Sequence, residues 1–206
     1  MRGMRGLLVA VFLGVALVAP SARAAVGPEE TVQDFYGALL NAMKRGTELG
    51  ERGRYNALLP VVQRDFDITA MSRLSVGASW SRLSPAEQDS IKQAFARYTT
   101  ATYADRFRTY SGQRFEVAGT QRDAYGTMVN TNLIPVNGEP VKLNYLMRQS
   151  GGQWLIADVY LSGTISQLAS LRSQFGAVLD REGPNGLVEA LNRKAEMLVA
   201  NAASAP

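Results

Sequence analysis

The chain contains no cysteine and no histidine among its 206 residues. Without cysteine it can form no disulfide bond. Without histidine it lacks the side chain that most often serves as a general base near neutral pH. Together these absences exclude Ser-His-Asp and Cys-His catalytic arrangements and most zinc sites.

Residues 1–24 have the pattern of a secretory signal peptide. Arg2 and Arg5 precede an apolar run of 13 residues, Leu7–Ala19, and residues 22–24 (Ala-Arg-Ala) form a small-residue cleavage site. The run is too short for a comfortable membrane span. The alternative is an uncleaved N-terminal anchor. No cysteine follows the run, so a lipoprotein anchor is not expected.

Cleavage after residue 24 leaves a nearly neutral chain of 182 residues. It removes three arginines and no acidic residue, which lowers the formal net charge from +4 to +1. The sequence has no run of lysine and arginine, so nucleic acid is not an expected partner. We expect residues 25–200 to form one domain and residues 201–206 to be a disordered tail.

Apolar residues three or four positions apart predict helices before the middle of the chain. Residues 28–45 form one such helix. Residues 47–65 form either a helix or two short turns around Pro60. Asp67 is expected to cap a short helix that places Ile68, Met71 and Leu74 on one side, before a sharp turn at Gly77.

The longest predicted helix has the clearest start. Ser84 is the expected N-cap, Pro85 takes the first helical position, and Glu87 completes a capping box. An apolar stripe runs along this helix to Phe107, and Gly112 is the predicted stop. Its members are Ile91, Phe95, Tyr98, Thr102, Tyr103 and Phe107.

The following stretch changes to a period of two, which predicts strands. Asn137-Gly138 is a strong hairpin signal. Short connections indicate an antiparallel meander, and two helices, 164–180 and 184–200, close the chain. The predicted fold class is α+β, with a curved four-stranded antiparallel sheet wrapped by helices. The four strands are 114–118, 125–135, 140–148 and 153–161.

Asp158 is the strongest candidate for a catalytic carboxylate, because burial on an apolar strand would raise its pKa. The structural alternative, which we favour, is that it bonds a backbone amide or an arginine such as Arg172. Asp65 and Asp67 are a weak calcium signal without further ligands, so no metal site is predicted. Several tyrosines could include an oxyanion donor, but they are more typical of amphipathic lining residues.

Short motifs along the chain resemble one family. They are Phe66-Asp67, G-x-x-W at 77–80, S-x-x-E-Q at 84–88, Tyr103, W-x-x-x-D-V at 154–159, S-G-T-I-S at 162–166 and R-S-Q-F at 172–175. In this order they resemble the periplasmic phospholipid-carrier family of the Mla pathway, also called the toluene-tolerance family. Two segments, VGASWSRLSPAEQ and TATYADRF–YSGQRF, are most similar to the hopanoid-biosynthesis-associated branch, HpnM. Ser162 departs from the glutamate of many members.

The resemblance implies a fold of the nuclear-transport-factor-2 type with a deep apolar pocket that holds lipid tails. It implies a monomeric shuttle between an inner-membrane ABC transporter complex and an outer-membrane lipoprotein or transporter complex. The cargo is a phospholipid or a hopanoid, and no cofactor is expected. The predicted pocket lining is Met71, Leu74, Trp80, Phe95, Tyr98, Tyr103, Phe107, Val129, Leu143, Tyr145, Met147, Trp154, Ile156, Leu171 and Phe175.

Two other classes of function stay open on the sequence. One is a small isomerase-like enzyme on the same sheet, with Asp158 as base and a tyrosine as hydrogen-bond donor. The other is an interaction adaptor with a filled core. An apolar void would favour the carrier, and a core without a void would favour the adaptor.

Overall fold

A computed structural model describes residues 26–122 and 126–200. The predicted signal peptide and the predicted tail at 201–206 lie outside these residues. The helices are α1 Pro28–Lys44, α2 Gly46–Asp65, α3 Ile68–Val76, α4 Pro85–Arg106 and α5 Gln167–Ala200, with a 3₁₀ helix at Gly77–Arg82. The strands are β1 Arg114–Arg122, β2 Thr127–Ile134, β3 Val141–Ser150, β4 Gln153–Leu161 and β5 Ile165–Ser166.

The strands form one antiparallel sheet in the order β1-β2-β3-β4-β5. The α+β class and the hairpin at Asn137-Gly138 are confirmed, but the count of four strands is wrong. Ser162 and Gly163 both have positive φ, 51° and 80°, and turn the chain back on β4. Two residues then pair as β5. The likeness to the nuclear-transport-factor-2 type stays a prediction.

The predicted start of α4 is confirmed, and its predicted end is wrong. The Ser84 hydroxyl accepts from the Glu87 amide at 3.3 Å, and the Glu87 carboxylate accepts from the Ser84 amide at 2.7 Å. The helix ends at Arg106 rather than near Gly112. After the half-buried Phe107, residues 108–112 are exposed, so no buried side chain holds a further turn against the domain.

The motifs G-x-x-W and S-x-x-E-Q meet in the structure. The Gln88 side-chain amide donates to the Trp80 carbonyl at 3.1 Å and to the Leu83 carbonyl at 3.2 Å. The Trp80 carbonyl also accepts from the Leu83 amide at 3.2 Å, whereas the Leu83 carbonyl lies just beyond the end of the 3₁₀ helix. Gln88 therefore fixes the angle between the 3₁₀ helix and α4.

Two helices contain a break that the sequence only partly predicts. Helix α2 is interrupted at Gly50, where φ is 59°, and it continues through Pro60, as one of our two alternatives had it. Pro60 and Asn56 lie on the exposed face, where water can satisfy the carbonyl that loses its partner. Gly183 interrupts α5, which confirms the predicted division before Pro184.

The core lies between the helices and one face of the sheet. Its centre is the stripe of α1, in which Val32, Phe35 and Leu39 are completely buried. Phe35 packs edge-on against Phe66 at 5.0 Å and Tyr103 at 5.0 Å. In the described part of the chain, no helix is long and apolar enough to cross a membrane.

Candidate functional site

A cavity of about 280 Å³ lies between the second half of α4, the first half of α5 and the sheet. Both helices face the start of β3 and the end of β4, and α3 and Phe66 form the side of the cavity. Its walls are predominantly apolar and aromatic. The lining residues are Phe66, Met71, Phe95, Tyr98, Thr99, Thr102, Tyr103, Arg106, Phe107, Leu143, Tyr145, Val159, Leu161, Ile165, Gln167, Leu168, Ser170, Leu171 and Gln174.

The α4 wall is aromatic because helical spacing repeats large rings on one side. Phe95, Tyr98, Tyr103 and Phe107 all line the cavity. The Tyr103 and Phe107 rings are stacked, with 6.0 Å between centroids and 17° between planes. A flat aromatic surface of this kind contacts hydrocarbon without offering it a charge.

Hydroxyl groups form a connected set at the inner end of the cavity. The Tyr145 hydroxyl is hydrogen-bonded to those of Tyr103 and Tyr36. Tyr36 contacts the Thr131 hydroxyl at 2.5 Å, and Thr131 donates to the Leu143 carbonyl. Burial raises the pKa of Tyr36 to about 12 and raises those of Tyr103 and Tyr145 as well. These phenols are therefore neutral at physiological pH, so none of them brings charge into the cavity.

The β4 wall is formed by Val159 and Leu161 rather than by the predicted Trp154 and Ile156. Trp154 and Ile156 face the core at the other end of β4, opposite Gln149 and Met147, and a bulge brings Val159 and Leu161 to the same face. Met147 pairs with Ile156 while Leu146 pairs with Asp158, so Ala157 has no partner on β3. An extra residue reverses the alternation of faces beyond it.

Eight of the fifteen predicted site residues line the cavity, on α3, α4, β3 and α5. They are Met71, Phe95, Tyr98, Tyr103, Phe107, Leu143, Tyr145 and Leu171. Their contact with a lipid stays a prediction.

The other seven lie elsewhere. Val129, Met147, Ile156 and Phe175 are core residues, and Phe175 packs edge-on against Phe95. Leu74 is 38 % exposed on the outer side of α3. Trp80 and Trp154 are half-buried against the core.

Eleven lining residues were not among the predicted site residues. Val159 and Leu161 reach the cavity through the bulge, which reverses the predicted alternation along β4. Thr102 on α4, and Ile165 and Leu168 in the predicted helix 164–180, follow helical spacing but were not assigned to the site. Phe66 belongs to one of the family motifs, and its burial depends on tertiary packing. The other five residues are polar and fall outside an apolar stripe: Thr99, Arg106, Gln167, Ser170 and Gln174.

Asp158 has a structural role, as the favoured alternative predicted. Its carboxylate accepts from the Val159 amide at 2.7 Å, the Leu168 amide at 3.2 Å and the Ser166 hydroxyl at 2.5 Å. Burial raises its pKa above the usual value, and the donated hydrogen bonds act in the opposite direction. Asp158 does not line the cavity. Its partners are backbone amides and a serine, whereas Arg172 lies against Gly77.

The calcium signal at Asp65 and Asp67 is explained by structural contacts. Asp65 pairs with Arg64 at 2.6 Å, and Asp67 caps α3 through the Ala70 amide at 2.9 Å. Residues 26–122 and 126–200 contain no group of three acidic residues that could hold a metal ion. A second groove, of about 490 Å³, runs past Gln63, Arg73 and Ser150, but it is open and mostly polar.

The fold and its cavity define a class: a single α+β domain with an apolar chamber between helices and sheet. The family model described as MlaC protein matches residues 33–193, so the chain belongs to the MlaC family. The fold is similar to a solved structure of a phospholipid-binding protein from Ralstonia solanacearum in complex with a phospholipid. The similarity has a TM-score of 0.69 and 24 % sequence identity, over 83 % of this chain and 98 % of that one.

Proposed function

We propose that this protein is a periplasmic carrier that holds acyl chains of a phospholipid in the cavity between α4, α5 and the sheet. The observation that carries the proposal is the cavity itself, with an aromatic α4 wall and aliphatic walls from the sheet and α5. Membership of the MlaC family supports it, as does the phospholipid bound by the Ralstonia solanacearum relative. The empty cavity also argues against an interaction adaptor, for which a filled core is expected.

Physical chemistry favours this cargo. Each buried CH₂ group is worth about 0.8 kcal/mol, so a sixteen-carbon chain exposed to water is penalised by roughly 10 kcal/mol. A chamber whose lining is neutral except for Arg106 removes most of that penalty without a catalytic group. The volume of about 280 Å³ is just below the range of ligand pockets, which span about 300–1,000 Å³. A two-tailed lipid therefore has to push the walls apart.

The location and partners belong to the proposal. We place the protein in the periplasm, because residues 1–24 have the signal-peptide pattern and because the family is periplasmic. It would act as a monomer between an inner-membrane ABC transporter complex and an outer-membrane complex, as the family resemblance implies. A small net charge after cleavage suits a carrier that must leave each membrane again.

A hopanoid is the alternative cargo. Two segments are similar to the hopanoid-associated branch, and the stacked Tyr103 and Phe107 rings offer a flat wall that suits a rigid polycyclic lipid. Denaturing mass spectrometry of protein purified from its own compartment distinguishes the two cargoes by mass. Release of a phospholipid alone would remove the hopanoid hypothesis.

The carrier proposal is tested by lipid occupancy of two variants. Phe107→Asp places a charge on a half-buried ring of the cavity wall, and we expect lipid occupancy to fall about tenfold or more, because an acyl chain would have to desolvate a carboxylate. Tyr110→Asp is the matched control, since Tyr110 is 42 % exposed and does not line the cavity. Mass spectrometry of extracted lipid per mole of protein measures both.

The outcomes separate the classes of function. A wild-type protein that stays lipid-free after incubation with liposomes would overturn the carrier proposal. Equal lipid occupancy in both variants would show that the lipid does not bind in this cavity. An enzymatic activity abolished by Asp158→Asn would instead support the isomerase-like alternative.

A further inference from the structure

Arg106 has a special position in the cavity. Among the lining residues of the described ranges it is the one side chain with a formal charge. It lies in the last turn of α4 and is exposed, so it belongs to the mouth rather than to the interior. Ile165, which is 56 % exposed, lies at the same mouth from β5.

The guanidinium of Arg106 has no ion-pair partner within residues 26–122 and 126–200. Its neighbours are already engaged: Asp105 pairs with Arg108 at 3.8 Å. An arginine in the last turn favours its helix through the helix dipole. That role needs no position at a cavity mouth, where Arg106 lines the wall together with Tyr103.

The start of α5 also reaches the cavity, but its amides are occupied. Asp158 accepts from the Leu168 amide, and the Ser166 hydroxyl accepts from the Ala169 amide at 3.0 Å. A helix N-terminus attracts an anion only while its amides are free. The buried Asp158 carboxylate would in addition repel one. Arg106 is thus the cationic group at the mouth that is available to bind an anion.

Resting on the carrier function proposed above, we propose that Arg106 contacts the anion that joins head group and tails in the cargo. A lipid that inserts its tails between α4 and the sheet leaves the next polar group at the mouth, where guanidinium can pair with phosphate through two hydrogen bonds. The cargo class is therefore lipids with a phosphate or carboxylate directly above the tails. Neutral lipids with the same tails are selected against.

Vesicles that contain phosphatidylglycerol and diacylglycerol with identical acyl chains test this inference. After incubation with lipid-stripped mature protein, the bound lipids are extracted and counted. For the wild type we expect the ratio of phospholipid to diacylglycerol to exceed that of the vesicle. In Arg106→Gln the ratio should fall about three- to tenfold, since the contact is charge-assisted but exposed. Arg106→Lys should retain most of the selectivity.

Arg108→Gln is the matched control, because Arg108 is an exposed neighbour that does not line the cavity. Unchanged selectivity in Arg106→Gln, with normal loading, would overturn the role of Arg106 and leave the carrier function standing. Failure of the wild type to load either lipid would overturn the carrier function instead.

Two further arms complete the experiment. At matched ionic strength, replacing chloride by inorganic phosphate should leave the ratio unchanged, and a ratio that collapses only in phosphate would assign Arg106 to free phosphate rather than to a head group. If Arg106→Gln does not fold, the salt dependence of the wild type decides. Selectivity should weaken from low to high salt, and a ratio independent of salt would overturn the contact.

Discussion

At Gly77 both the backbone and the packing exclude a side chain. Its φ of 72° and ψ of −141° lie in a region that is essentially restricted to glycine. A Cβ there would come within 2.8 Å of the Arg172 Nε atom. Two motifs far apart in sequence, G-x-x-W and R-S-Q-F, are therefore in contact at this residue.

We expect Gly77→Ala to lower the free energy of unfolding by about 2–3 kcal/mol, from backbone strain plus the displaced arginine. Gly183→Ala is the matched control: its φ is 70°, but a Cβ there meets nothing within 4 Å. It should cost only the strain, about 1–2 kcal/mol. Urea unfolding of both variants measures the difference. Equal losses would show that the contact with Arg172 contributes nothing.

At the scale of elements, the start of α4 is a local device whose contribution can be isolated. Ser84→Ala removes the hydroxyl that caps the Glu87 amide, and we expect a loss of about 1 kcal/mol in the free energy of unfolding. Ser90→Ala is the control. The Ser90 hydroxyl bonds the Ala86 carbonyl within the same helix and is exposed. Chemical denaturation compares them, and a similar loss in Ser90→Ala would contradict the capping role.

Features that depend on neighbouring residues could be predicted from the sequence, whereas features that depend on how the strands pair could not. The capping box at Ser84 and the hairpin at Asn137-Gly138 depend on residues within a few positions of each other. The bulge at Ala157 depends on how β4 aligns with β3, which no short pattern in β4 shows. The bulge explains why Val159 and Leu161 were missed, whereas the α4 wall follows from helical spacing alone.

At the scale of the whole molecule, the buried phenols connect three layers. Tyr36 comes from α1, Tyr103 from α4 and Tyr145 from β3, and their hydroxyls meet beside the cavity. Helical and strand periodicity predicted that the rings of Tyr103 and Tyr145 lie inside. The meeting of the hydroxyls depends on the packing of α1 across the sheet, so the sequence alone could not predict it.

This set predicts a loss of stability at alkaline pH. The pKa of Tyr36 rises from 10.0 to about 12 on folding, and those of Tyr103 and Tyr145 rise too. Above pH 10 the unfolded chain releases phenolic protons that the folded protein retains. The stabilisation is complete below pH 10 and is lost as the pH rises towards the folded pKa, by up to about 1.4 kcal/mol per pH unit per tyrosine.

Urea unfolding at a series of pH values above 8 measures this slope. Tyr36→Phe should reduce the slope by the contribution of one tyrosine. Tyr110→Phe, at an exposed position outside this set, is the matched control. A wild-type slope no steeper than that of Tyr36→Phe would contradict the assignment.

The free side of β4 is covered along much of its length. The Asp67 amide donates to the Ile156 carbonyl at 2.9 Å, the Thr31 hydroxyl lies 3.3 Å from the Trp154 carbonyl, and β5 pairs with the last two residues. An uncovered strand of this kind is a template on which another chain can add by β-pairing. The two-residue β5 and the chain at Asp67 occupy this edge, so another chain cannot add to it by β-pairing. A covered edge of this kind lowers the tendency of the domain to aggregate through β-pairing.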